Sequence, residues 1–217
     1  MSNPDRSYFM DKTWATVEEM EEAWKILKET GAYMEGHFLF DRSKLHYDKF
    51  FQLPLAYQYS SNARILSVTL SRMMRRSGIL SRLREDQRLT IVTPSDVGIP
   101  IAFWIGDVLE ADRVLWMPKF KGERRFHQFV ELDEKDQVII VTDIMFSGDR
   151  VRNAINKIKS TGASIELISS IVDRRKEVVN YDDVEVMSLL QVQSARHSPD
   201  SCPLCEEGTE LMEVQLG

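Results

Sequence analysis

The chemically most informative spacing in the chain lies in Val138 to Val151, VIIVTDIMFSGDRV. A continuous β-branched run spells a fully buried strand that stops at Asp143, a loop with one glycine follows, and an amphipathic helix opens near Gly148. Such a turn sets backbone N–H groups and a helix N-terminus at the C-terminal edge of a sheet, where phosphate is favourably bound. Ser147 adds a hydroxyl donor, and Asp143 is positioned to accept hydrogen bonds from vicinal hydroxyls such as those of a ribose. An aspartate at a strand end is also common in doubly wound proteins of many functions, so the pattern needs support from the rest of the chain.

Two further groups carry chemistry-bearing side chains. Lys119, Lys121, Arg124 and Arg125 crowd a glycine-containing stretch that reads as mobile, either a solvated loop or a charged lid placing cations where negative charge accumulates. His197, Cys202 and Cys205 contain the Cys-x-x-Cys spacing that makes half of a tetrahedral zinc site. The other half is missing unless a second subunit supplies it, so the expectation is a snugly packed tail and no metal. His37, His46 and His127 form no catalytic dyad with a nucleophile, and neither a Walker loop nor a Ser-His-Asp hydrolase pattern occurs.

The elements that must position these residues follow from periodicity. Thr16 and Glu19 form a capping box ahead of a helix with Met20, Ala23, Trp24 and Leu27 on one face, ended by Gly31. Residues 36–52 predict two short strands joined by the polar turn Asp41-Arg42-Ser43-Lys44, and a helix follows from Ser60 or Ser61 to Arg76. From Leu89 onward, short apolar strands alternate with helices, the pattern of a mostly parallel sheet covered on both faces. Strands are expected at Leu89–Thr93, Arg113–Met117, Val138–Val141 and Ile165–Val172, and helices at Ile99–Leu109 and Val151–Ser160. Gln128–Leu132 suggests a hairpin arm, and the tail after Gln193 reads as irregular.

With 217 residues and 43% hydrophobic content, the chain can bury one substantial core in a single domain. Only two cysteines and no apolar run near the roughly 20 residues of a membrane span argue for a cytoplasmic protein with no membrane partner. The polar start, Met1–Lys12, lacks the apolar region of a secretory signal. A net charge of −6 argues against nucleic acid, and the basic stretch Arg72, Arg75, Arg76, Arg82, Arg84 reads as a solvated or subunit-facing helix edge.

The segment from Val138 to Gly148 resembles the phosphoribosyl-pyrophosphate loop of type I phosphoribosyltransferases, through Val138–Val141, Asp143, Ile144, Met145, Ser147 and Gly148. Three other stretches are similar to the orotate phosphoribosyltransferases in particular: GHFLF at 36–40 with LHYDKFFQ at 45–52, PSDVGIPI at 94–101, and CPLCEEGTEL at 202–211. They occur in the family's order over most of residues 32–211. The resemblance implies an α/β type I phosphoribosyltransferase fold spanning 1–217 as a single domain. Its central, mostly parallel sheet is flanked by helices, with a core at 88–175 and a small hood from 32–60 and 183–217. It implies transfer of a phosphoribosyl group from phosphoribosyl pyrophosphate to a base, orotate, with Mg²⁺ as cofactor, in a homodimer whose lid acts across the subunit boundary. Asp143, Ile144, Met145, Phe146, Ser147, Gly148, Asp149, Arg150 and Val151 would then hold the ribose and 5-phosphate. Lys119 and Asp143 become the catalytic candidates, while Ser95, Asp96, Lys121 and Arg174 become candidates for the remaining substrate contacts.

The sequence also departs from the family pattern. Thr142 stands in place of the first acidic residue, Phe146 in place of a small hydroxyl residue, and Asp149-Arg150 in place of smaller residues. Asp96-Val97 lacks a lysine that many members carry. These changes leave open a phosphoribosyltransferase of other base specificity, or a non-catalytic nucleotide sensor on the same fold. Arg174 likewise retains an alternative, a surface ion pair with Asp173 or Glu177.

Overall fold

The computed structural model describes residues 14–40, 43–175, 181 and 183–214; Met1–Lys12, Asp41-Arg42 and Glu177 lie outside the described residues. Helix α1 (Val17–Glu29) opens on the expected capping box, with Thr16 Oγ1 accepting from the Glu19 N–H at 3.2 Å and Glu19 Oε2 from the Thr16 N–H at 2.9 Å. Strands β1 (Tyr33–Phe40) and β2 (His46–Phe51) pair antiparallel, and the short helix α2 (Pro54–Tyr57) leads into α3 (Ser60–Arg76).

The alternating part begins with β3 (Arg88–Thr93), α4 (Ile99–Leu109) and β4 (Arg113–Trp116). The hairpin β5 (Lys119–Phe120) and β6 (Glu123–Arg124) follows, then β7 (Asp136–Met145), α5 (Asp149–Lys159) and β8 (Ser164–Asp173). The chain ends with β9 (Val186–Gln191), β10 (Arg196–His197), α6 (Pro203–Glu206) and β11 (Leu211–Val214).

The central sheet has the order β4-β3-β7-β8-β9, with every pairing parallel. Its middle strand β7 is buried on both faces, which explains its unbroken apolar run. Ile139 and Val141 join a core completed by α1, α3 and α4, while Val138 and Ile140 meet Val151, Ala154, Ile155 and Ile158 of α5. Each fully buried aliphatic side chain of this kind contributes about 1.5 to 3 kcal/mol. From β3 the chain first goes outward to β4 and then returns to β7 on the other side. The switch point between β3 and β7 is where an open parallel sheet offers a ligand crevice at its C-terminal edge.

At the opposite edge, Asp136 ties the strand starts together. Its carboxylate is 0% exposed and accepts from Arg113, from Arg88 at 3.1 Å, from the Thr90 hydroxyl at 2.8 Å and from the Asp133 N–H at 2.9 Å. The hood is a second sheet, β10-β2-β1-β11, with Phe38, Phe40, Tyr47 and Phe50 at its centre.

Several expectations need correction. Strand β7 continues past Asp143 to Met145, because β8 extends beside it and pairs Ile144 with Val172 and Met145 with Asp173. The charged stretch read as mobile is a hairpin whose Lys121 and Gly122 both have positive φ, 49° and 89°, the conformation of a type I′ turn. Arg125 stacks over Phe120 at 3.8 Å and covers the strand. Gln128–Leu132 forms no strand. Strand β9, inside the 183–217 stretch assigned to the hood, belongs to the central sheet, and the tail read as irregular supplies β10, α6 and β11. The apolar face of α3 packs within the chain, burying Leu66, Leu70, Met73 and Met74. The basic stretch beside it, by contrast, is the expected solvated edge, with Arg72, Arg75, Arg76, Arg82 and Arg84 exposed, Arg76 bonding Glu19 and Arg82 bonding Glu185, each at 3.0 Å.

Candidate active site

Loops after β3 and β7 meet at the switch point. Asp143 lies in β7 with 4% of its surface exposed, and the Thr142 hydroxyl donates to it at 3.2 Å. Ser95, just beyond β3, is 1% exposed, and its Oγ has no hydrogen-bond partner among the described residues. The same holds for the Tyr57 hydroxyl, which burial and the charge of Asp143 push well above the ordinary phenol range. Buried hydroxyls in native proteins are normally bonded, so these two orphans, of which Tyr57 lies close enough to feel the Asp143 charge, are equipped to hold something. Sequence reasoning missed Tyr57, since nothing in LPLAY sets it apart from core aromatics.

The β7–α5 loop proper is Phe146, Ser147 and Gly148; Ile144 and Met145 are strand residues, and Asp149, Arg150 and Val151 form the first turn of α5. Gly148 sits at φ +83°, and a Cβ there would lie 2.2 Å from the Tyr181 hydroxyl, so conformation and space both require glycine. Gly148 is itself the N-cap of α5 and brings no side chain to the N–H groups there. The Ser147 hydroxyl donates to Asp149 Oδ2 at 2.8 Å, placing a carboxylate at the helix start.

The β5–β6 hairpin faces that helix start across a cavity of about 470 Å³, lined among others by Lys119, Arg124, Asp149, Arg150 and Lys157. Arg124 anchors the hairpin, donating to Asp96 at 3.3 Å and to the Met117 carbonyl at 3.0 Å. Lys119, Asp149 and Arg150 are thus brought together, and Asp96 is tied to the same assembly. Lys121 stands apart at the hairpin tip, its Nζ over Phe120 at 5.6 Å. Asp96 also borders a smaller cavity of about 240 Å³ with Tyr57 and Val97.

Arg174 is neither on the surface nor paired with Asp173, which instead binds Arg175 at 2.7 Å. Only 6% exposed, Arg174 lies among the rings of Phe146 at 4.9 Å, Tyr47 at 5.5 Å, Phe40 at 5.6 Å and Phe51 at 5.6 Å. It donates to Ser194 at 2.6 Å and to the Lys49 carbonyl at 3.2 Å, and its Nε has no partner among the described residues. Burial pushes its guanidinium down to about 10, still cationic at neutral pH. Phe146, the residue that departs from the family loop, therefore packs into the hood and forms one wall around Arg174.

A five-stranded parallel sheet, a phosphate-type loop at its switch point and a separate hood define the type I phosphoribosyltransferase fold. No family model matches the chain. The sequence is 28% identical over 189 residues to the orotate phosphoribosyltransferase of Carboxydothermus hydrogenoformans, covering 87% of this chain and 94% of the relative. It is 26% identical over 190 residues to that of Chlorobaculum parvum, covering 88% and 92%. The crystal structure of orotate phosphoribosyltransferase from Aeropyrum pernix superposes with a TM-score of 0.58 at 18% identity, covering 77% of this chain and 92% of that one. Within the fold class, the chain is orotate phosphoribosyltransferase-like.

Proposed function

We propose that the chain is a phosphoribosyltransferase that moves a 5-phosphoribosyl group from phosphoribosyl pyrophosphate to a ring nitrogen of orotate. The products are the nucleoside monophosphate and pyrophosphate. The observation that carries this reading is the switch-point arrangement: Asp143 with the orphaned Tyr57 hydroxyl within reach of its charge, the loop into α5, and a cationic hairpin facing that helix start. Asp143 accepts from the ribose hydroxyls, and the segment from Phe146 through Gly148 into Asp149–Val151 receives the 5-phosphate. Lys119 meets the departing pyrophosphate, with Lys121 a more distant cation at the hairpin tip. Ser95 and Asp96 complete the pyrophosphate side.

Arg174, planar and partly unpaired, addresses the carboxylated base from the hood. The Asp143 carboxylate is a hard oxygen donor that fits Mg²⁺, a cation commonly held by one or two carboxylates together with substrate phosphates. When bound, it would neutralise charge on the pyrophosphate oxygens. The working form is a cytoplasmic homodimer, and neither nucleic acid nor membrane is a partner. Among the described residues, no helix is long and apolar enough to cross a membrane.

A second reading, a nucleotide sensor without turnover, draws on Phe146 and Asp149. Phe146 is committed to the hood, and a carboxylate about 4 Å from a phosphate costs roughly 1 to 4 kcal/mol. Calorimetry with ribose 5-phosphate tests the cradle common to both readings. Asp149→Ser is expected to tighten binding about 5-fold or more, the equivalent of roughly 1 kcal/mol. Asp143→Ala is expected to weaken it by about 1.5 to 3 kcal/mol. Indifference to both substitutions would remove the phosphate from this loop.

A further inference from the structure

The hood holds a second constellation that plays no part in phosphoribosyl transfer. Two pairs of side chains, each pair distant from the other in sequence, converge there: His37 from β1 and His46 from β2, with Cys202 and Cys205 at the start and within α6. Their ligand atoms all lie within 4.8 Å of one another. His37 Nε2 is 2.8 Å from His46 Nδ1, 3.5 Å from Cys202 Sγ and 3.7 Å from Cys205 Sγ, and Cys205 Sγ is 3.2 Å from His46 Nδ1. Zn–S bonds of about 2.3 Å and Zn–N bonds of about 2.0 to 2.1 Å in a tetrahedron require donor separations of roughly 3.3 to 3.8 Å. Three of these four distances fall within about 0.1 Å of that range, and closing the fourth correctly needs the two imidazole nitrogens to part by about 0.5 Å.

We propose that His37, His46, Cys202 and Cys205 bind a zinc ion in a closed, structural Cys₂His₂ site. The half-site absent from the Cys-x-x-Cys motif comes from the same chain and needs no second subunit, a reading that differs from the metal-free tail expected from the sequence. His197 is not among the converging donors. Two thiolates with two imidazoles suit zinc over oxygen-seeking cations such as magnesium. The outer contact also fits: the Thr209 carbonyl lies 3.0 Å from His37 Nδ1, so Nδ1 carries the proton and Nε2 keeps its lone pair for the metal. His37, His46 and Cys202 are buried, while Cys205 is exposed and gives the ion a way in.

With all four positions taken by protein, the ion has no open coordination site, so its role is to cross-link. Strand β11 pairs with β1 beginning at His37 opposite Leu211, and β10 pairs with β2 through His197 opposite His46. Four and two residues long respectively, these are weak strands by themselves. Zinc would fasten the tail to the β1–β2 pair that carries Phe40 and Tyr47 against Arg174.

The test is the metal content of the full, untagged chain purified under reducing conditions, measured by plasma mass spectrometry. The expected result is about one zinc per chain, retained on dialysis, with Cys205→Ser and His46→Ala each losing most of it. Chelator-stripped wild type reloaded with Co²⁺ should show the intense visible bands of a tetrahedral thiolate site, a readout that does not depend on the variants folding. Zinc-free protein that takes up neither Zn²⁺ nor Co²⁺ while reduced would overturn the proposal. A Cys202–Cys205 disulfide in freshly prepared protein, persisting without metal, would overturn it equally. None of these outcomes depends on turnover with orotate.

Discussion

Lys119→Ala is expected to lower the rate of pyrophosphate release by about 10²-fold or more while leaving binding of the donor substrate nearly unchanged. Negative charge on the leaving group grows as the bond to the ribose breaks, so a preorganised cation acts mainly on the transition state. Lys119 lines the cavity over the start of α5, whereas Lys121 does not, and Lys121→Ala should therefore have a much smaller effect. Steady-state kinetics with parallel calorimetry separates the two, because a rise in KM with kcat intact would mean that the lysine binds ground state and transition state equally. The hairpin adjoins α5 of its own chain, while the family resemblance implies a lid that crosses between subunits. Mixing Lys119→Ala with Asp143→Ala chains decides this. Restored activity requires a dimer with shared sites, and no restoration assigns the lid to its own subunit.

Asp136→Asn is expected to cost about 3 to 5 kcal/mol of stability, since it leaves Arg88 and Arg113 around an amide in place of a buried carboxylate. The Nε atoms of both arginines already lack partners among the described residues, so little compensation is at hand. Chemical denaturation should show the loss with an unchanged m-value, and the melting temperature should fall by on the order of 10 °C. A change below about 1 kcal/mol would mean that Asp133, which also pairs with Arg88, carries the cluster. The substitution lies at the edge of the sheet away from the switch point, so folded protein should retain its ligand affinity.

The parts of the molecule legible in its sequence are those fixed by local pattern. The β-branched run at Val138–Val141, the capping box at Thr16 and the amphipathic period of α5 each report their own burial or hydrogen bonding. Strand β9 escaped because its short VMSLLQ segment gains strand character from pairing with β8, a non-local contact. Strands β10 and β11 are defined in the same way, by the free edges of β2 and β1. His37 and His46 read as histidines without a role because their cysteine partners lie 165 and 159 residues away. The type I′ turn at Lys121-Gly122 did leave a signal, a glycine between two short runs, which the surrounding charges disguised as a loop. Arg174 was found through the resemblance, but its aromatic surroundings come from three separate segments that only folding assembles.

The most direct measurement is pyrophosphate release by the wild-type chain from phosphoribosyl pyrophosphate and orotate in the presence of Mg²⁺. The switch-point arrangement of Asp143, the α5 start and Lys119 predicts sustained turnover that requires both substrates and yields the orotate nucleotide. Nucleotide binding at the same site with no pyrophosphate released, with orotate or with any other base supplied, would contradict it. That result would assign the loop from Thr142 to Arg150 to sensing rather than catalysis.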